Sequence, residues 1–177
     1  MRAFQILLAA TVLSPNATPS LGQLGAHYFE TLNQSQIWIN LEPEGSIPGP
    51  NPIRLNITVA FTGRVLDRPP DVVEVRAESV GSAFPLQIRR PLLRFQPGGG
   101  NEMDLTAPGR TFQFIARCPE CPADTVVARM PFAALRSIAN SSTMEIDALG
   151  FAAHLNAADL QSLRKFIDVV GHGVRIR

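Results

Sequence analysis

The chain is expected to fold as a mainly β, antiparallel, β-sandwich-like domain with a short helix and a C-terminal capping helix, and three observations carry that expectation. Over residues 53–62, Ile53, Leu55, Ile57, Val59 and Phe61 are large and apolar, whereas Arg54, Asn56, Thr58 and Thr62 lie between them. A two-residue period sends one side of a strand into a core and the other into water, as in antiparallel sheet covered on one face. The same alternation returns over 35–41 and 72–77, with proline- and glycine-containing loops between. From residue 156 onward the apolar spacing becomes that of a helix.

At the N-terminus, Met1 and Arg2 precede an apolar stretch over 3–13 that is too short to span a bilayer. This is the make-up of a signal peptide. Small residues at Ser20 and Gly22 suit cleavage before Gln23, and Thr18 with Ser20 suits a cut before Leu21. The expected organisation is a signal peptide over 1–22 and one β-rich domain over 23–177. About 155 residues then remain, a size that buries roughly two thirds of the unfolded chain's surface. The expected location is therefore outside the cytoplasm, in a periplasm or the exterior, without an integral membrane segment in the mature chain.

Sixteen basic residues balance fifteen acidic ones, for a formal net charge of +1. So even a balance supplies no whole-molecule field to gather nucleic acid or an anionic membrane. Lys165 is the only lysine. The arginine bias reads as a coding preference.

Element by element, residues 24–31 are expected to form a short helix carrying His27, Tyr28 and Phe29. A strand follows, with Ile37, Ile39 and Leu41 on one face and Trp38 and Asn40 on the other. Trp38 and Tyr28 are the only Trp and Tyr; edge or core packing with a satisfied polar tip is preferred over a ligand platform. Prolines across 42–52 deny ladder donors and make a surface loop. Shorter edge strands are expected over 84–90 and 92–95, interrupted by Pro85 and Pro91. Gly98, Gly99 and Gly100 are read as a hairpin turn into 102–106; the Lys-Ser/Thr ending of a phosphate loop does not follow them. Phe112, Phe114 and Ala116 share a face of the next strand.

Directly after that strand stand Cys118 and Cys121, the only cysteines, with strand-like residues from Thr125 to Ala128 beyond. In an exported protein a local disulfide is the default, stabilising by at most roughly 2 kcal/mol for so small a ring. A thioredoxin-like dithiol is the alternative, although Pro122 and the β-branched run after it argue against the helix N-terminus that would lower a thiol pKa. Zinc would need two further ligands, and His27, His154 and His172 have no metal-ligand spacing. No metal or cofactor is expected.

In the C-terminal third, Pro131 is placed at the first position of a short helix over 130–139. Residues 143–149 and 151–155, pivoting at Gly150, are read as two short strands or one bulged strand. The best-marked helix spans about 156–170: Asn156 is its N-cap, Asp159 sits three residues on, and Leu155 can staple against Leu160. Leu160, Leu163, Ile167 and Val170 form its apolar stripe, and Gly171 fits the stop. The stretch from Met144 to Phe166 resembles the C-terminal unit of various uncharacterised exported bacterial proteins. That resemblance covers about a sixth of the chain and implies no assigned activity.

Sequence motifs for a hydrolase elbow, a zinc protease or a dinucleotide fold are not found. Glu102 with Asp104, and Glu145 with Asp147, lie two apart on strands and so share a face; a solvated strand face accounts for them as well as acid–base work does. Four Asn-x-Ser/Thr sequences begin at Asn16, Asn33, Asn56 and Asn140. The expectation for function is an exported, non-catalytic binding or structural module of the cell envelope or exterior, with a protein or glycan partner. The alternative is a thiol–disulfide oxidoreductase using Cys118 and Cys121.

Overall fold

A computed structural model describes residues 24–45, 53–79, 92–115 and 124–176. The leader, the strand expected over 84–90 and the Cys118/Cys121 pair lie outside these residues.

The alternating segments become strands. Leu24–Phe29 (β1), Gln34–Leu41 (β2), Ile53–Thr62 (β4), Val72–Ser79 (β6), Phe112–Ile115 (β9) and Thr125–Pro131 (β10) form a six-stranded sheet in the order β1-β2-β4-β6-β10-β9. Every neighbouring pair in it is antiparallel. A second antiparallel sheet takes Glu44–Gly45 (β3), Leu93–Pro97 (β7), Met103–Asp104 (β8), Met144–Ala148 (β11) and Phe151–Leu155 (β12) in the order β3-β12-β11-β7-β8. Val65–Leu66 (β5) pairs with Val174–Arg175 (β13) as a small ribbon.

Side chains facing inward from both sheets merge into one apolar core. Ile37, Ile39 and Leu41 from β2, Leu55 and Ile57 from β4, and Val73 and Val75 from β6 join Phe95, Met144 and Ile146 of the second sheet in it. Each large aliphatic chain so buried stabilises the fold by about 1.5–3 kcal/mol relative to an exposed one. The β-sandwich-like, mainly β expectation agrees with this arrangement.

Two helices complete the core. The helix Phe132–Asn140 (α1) continues directly from β10, and Pro131 is its N-cap while still paired with Val72. Proline there is therefore one position earlier than expected. The helix Ala157–Gly171 (α2) starts in a capping box: the Asn156 side chain accepts from the Asp159 N–H at 2.9 Å, and Asp159 Oδ2 accepts from the Asn156 N–H at 3.4 Å. Its buried face comprises Leu160, Leu163, Ile167 and Val170, with Phe166 added, and packs against β2 of one sheet, β12 of the other and α1. Arg164 donates to Ala139 O at 2.7 Å and to Ser141 O at 3.4 Å, satisfying carbonyls at the end of α1. Gly171 is the last helical residue, and the left-handed position falls to Gly173, with φ +81°.

The helix expected over 24–31 is instead β1 followed by a 3₁₀ turn, Glu30–Leu32. Leu24, Ala26 and Tyr28 pack on the core, a period of two, and Gly25 weakens any helix there. Pairing of every residue of β1 with β2 outweighs the local helical spacing of Leu24 and Tyr28. The triple-glycine turn holds as expected: β7 and β8 pair around it, Gly99 has φ +77°, and Gly100 N–H donates to Pro97 O at 3.0 Å. Among the described residues no helix is long and apolar enough to cross a membrane.

Candidate ligand-binding face

The pleat that buries Ile37, Ile39 and Leu41 must turn Gln36, Trp38 and Asn40 outward, and all three are partly exposed. On β1 the residue opposite Trp38 is Gly25, and on β4 it is Thr58. A Cβ placed on residue 25 would collide with Cε2, Cζ2 and Nε1 of the indole, so the ring is laid across the glycine at the edge of the sheet. Glycine is needed here for close approach, not for a special backbone angle. Beside the indole on β1, His27 is exposed and meets Phe29 edge-on, with centroids 4.5 Å apart and planes at 75°.

Next to Trp38 runs a chain of uncharged polar groups. Asn56 Nδ2 donates to Asn40 Oδ1 at 2.8 Å, and Thr58 Oγ1 donates to Asn56 Oδ1 at 2.7 Å. Strand register produces it: Asn40 faces Asn56, and Thr58 is two residues further along β4. Asn56 of the third Asn-x-Ser/Thr sequence is thus engaged in the ladder. Charged groups bound the strip and are paired. Arg54 meets Glu42 at 3.1 Å, and Arg76 lies 3.9 Å from Glu74 and 3.7 Å from Glu78.

Tyr28 points to the opposite side of β1. Its hydroxyl donates to Asn33 Oδ1 at 2.9 Å, and the Arg64 guanidinium sits 3.9 Å from its ring centroid. It is the packed aromatic with a satisfied tip that the sequence suggests. Trp38 also packs at the edge, but on the solvent side of the sheet.

The two carboxylate pairs converge on the outer face of the other sheet. Arg94 of β7 lies 3.1 Å from Glu102 and 3.7 Å from Asp104, and it faces Asp147 across the β7–β11 ladder. Glu145 faces Gln96 on one side and His154 on the other. Arg94, Gln96, Glu145, Asp147, His154 and Ala152 edge an open hollow of about 300 Å³. His154 Nε2 lies 3.3 Å from Glu44 Oε2, while Glu44 Oε1 accepts from Asn156 Nδ2 at 2.9 Å. This binds β3 to β12 and to the start of α2. Beneath them, burial holds the Asp159 carboxyl above the ordinary aspartate value; Glu44 and Glu42 push the same way, and the Asn156 N–H and His154 pull against them. Charges on this face are spent largely on one another, which suits holding strands in register.

A second open hollow, of about 380 Å³, lies between the helices and is edged by Arg136, Arg164, Asp168 and His172. Arg164 is committed there to the α1 carbonyls. His172 Nδ1 is 2.8 Å from Asp168 O, a contact closing the end of α2. His27, His154 and His172 are thus on separate surfaces. Among the described residues no group of three or more His, Cys, Asp or Glu is placed to hold a metal ion.

The outward direction of Trp38 was legible in the alternation of 35–41. Its glycine bed was not, because that depends on how β1 registers with β2. Comparison with protein-family models, curated proteins and solved structures finds no match.

Proposed function

We propose that the protein is an exported, non-catalytic binding module of the cell envelope or exterior, and that it meets its ligand on the outer face of the six-stranded sheet around Trp38. The observation that carries this reading is the partly exposed indole laid over Gly25 beside the Asn40–Asn56–Thr58 ladder. A tryptophan held against backbone offers a large, rigid contact surface at little entropic cost. Rigid strands hold the polar groups beside it. The leader-like residues 1–22 support export, where the partner would be a protein or a glycan.

The test pairs localisation with binding. The mature N-terminus of protein taken from the extracytoplasmic fraction is expected near residue 23. Labelled protein is expected to co-sediment with insoluble envelope or extracellular material, and Trp38→Ala to lose most of that binding while circular dichroism stays unchanged. Equal co-sedimentation of the two would remove this face from the proposal. The thiol–disulfide alternative rests on Cys118 and Cys121, outside the described residues. A slow, strongly reducing couple fits a staple, and a reactive low-pKa thiol fits a redox enzyme.

A further inference from the structure

We infer that the ligand of the Trp38 face is an uncharged oligosaccharide lying across β1, β2 and β4. This inference rests on the binding-face reading above and adds the chemical class of the occupant. Three features converge on it.

The first is the platform. Pyranose rings present patches of C–H bonds on their flat faces, and these pack on the electron-rich face of an aromatic ring. Trp38 is the largest such surface in the chain, and Gly25 gives it a bed with no side chain in the way. The second is the hydrogen-bonding character of its surroundings. A sugar hydroxyl both donates and accepts, so a suitable partner surface offers both functions. In the ladder from Thr58 to Asn56 to Asn40, each internal bond leaves capacity at the ends: the Asn40 amide N–H groups can donate, and the Thr58 oxygen can still accept. Gln36, one outward row along β2, adds a complete amide.

The third is charge. The strip of Gln36, Trp38, Asn40, Asn56 and Thr58 bears no formal charge, and the arginines and glutamates at its margin are paired with each other. A uronate or phosphate would find no free cation within the strip, and a polybasic peptide no free carboxylate. A neutral, hydroxyl-rich ligand matches this field best. Three strands at about 4.8 Å spacing give a width of roughly 10 Å, enough for a short run of sugar rings. Partly exposed side chains spread over neighbouring strands suit an extended chain more than a single enclosed monosaccharide.

Trp38 is the only tryptophan, so its fluorescence reports on this site alone. The test titrates the protein with neutral hexasaccharides (cellohexaose, xylohexaose and chitohexaose) and with hexagalacturonate. The same proteins are then run on gels cast with the corresponding polymers. At least one neutral hexasaccharide is expected to shift the emission saturably and hexagalacturonate to do so at least tenfold more weakly. On the gels, Trp38→Ala should lose retardation by at least tenfold, Trp38→Phe should keep part of it, and Thr58→Val and Asn40→Ala should weaken it severalfold. Trp38→Phe and Thr58→Val keep the assay decisive if Trp38→Ala fails to fold.

Silence from every neutral saccharide overturns the inference. If a protein from the envelope fraction cross-links at the Trp38 face instead, the inference falls and the binding-face reading stands. Saccharide binding that ignores all four substitutions overturns the face itself.

Discussion

Substituting alanine for Gly25 tests the placement of the indole. The added Cβ would stand 2.7 Å from Trp38 Nε1 and closer still to Cε2 and Cζ2, whereas relaxed carbon contacts lie near 3.5–4.0 Å. An overlap of about 1 Å with a ring laid across β1 must lift either the indole or the strand, and overpacking of this kind costs about 1–3 kcal/mol. With Trp38 shortened to alanine the obstacle is gone. Gly25 does not have a positive φ, so in that background alanine should instead stabilise by about 0.4–1 kcal/mol through the unfolded chain. The double-mutant cycle of Gly25→Ala with Trp38→Ala therefore predicts a coupling of about 1.5–4 kcal/mol. Urea unfolding of the four proteins measures it, provided the denaturant slopes agree. Equal effects of Gly25→Ala in both backgrounds would refute the reasoning.

Other expectations concern α2 and its start. Leu163 is fully buried, so Leu163→Ala should cost about 2–5 kcal/mol, and an unchanged urea midpoint would show that the stripe is not packed. Asn156→Ala removes the cap and should cost about 1 kcal/mol, read from the same unfolding curves. Asp159 gives a pH signature. Its carboxyl titrates above the ordinary aspartate value in the folded protein, so in the acid range the native state holds this proton after the unfolded state has lost it. Stability from this group is thus greatest below its unfolded value and declines as pH rises through the folded one. The stability of the wild type relative to Asp159→Asn should fall as pH rises past the ordinary aspartate value; a rise there would contradict the assignment.

Much of the sheet was legible because antiparallel strands with one wet face print their geometry into sequence. β2, β4 and β6 follow from alternation alone, and α2 from its cap, its acidic third residue and its apolar stripe. β1 was misread because Leu24 and Tyr28 stand at helical spacing, and only pairing with β2 makes the period of two decisive. The β5–β13 ribbon joins pieces of two residues each, too short to carry any period. At the candidate face, alternation already sends Trp38, Asn40, Asn56 and Thr58 outward. What it cannot give is register: the meeting of Gly25 with Trp38, and of Asn40 with Asn56, comes from inter-strand pairing. Likewise, the spacing of Glu102, Asp104, Glu145 and Asp147 showed two shared faces but not that β7 brings Glu102, Asp104 and Asp147 together around Arg94.

Acrylamide quenching of the single tryptophan tests the central claim most directly. With Trp38 on the solvent side of the sheet and one face against Gly25, the folded protein is expected to show substantial quenching, weaker than in urea and relieved on saturation with a bound oligosaccharide. A blue-shifted emission that acrylamide hardly touches would put the indole in the core and contradict the account.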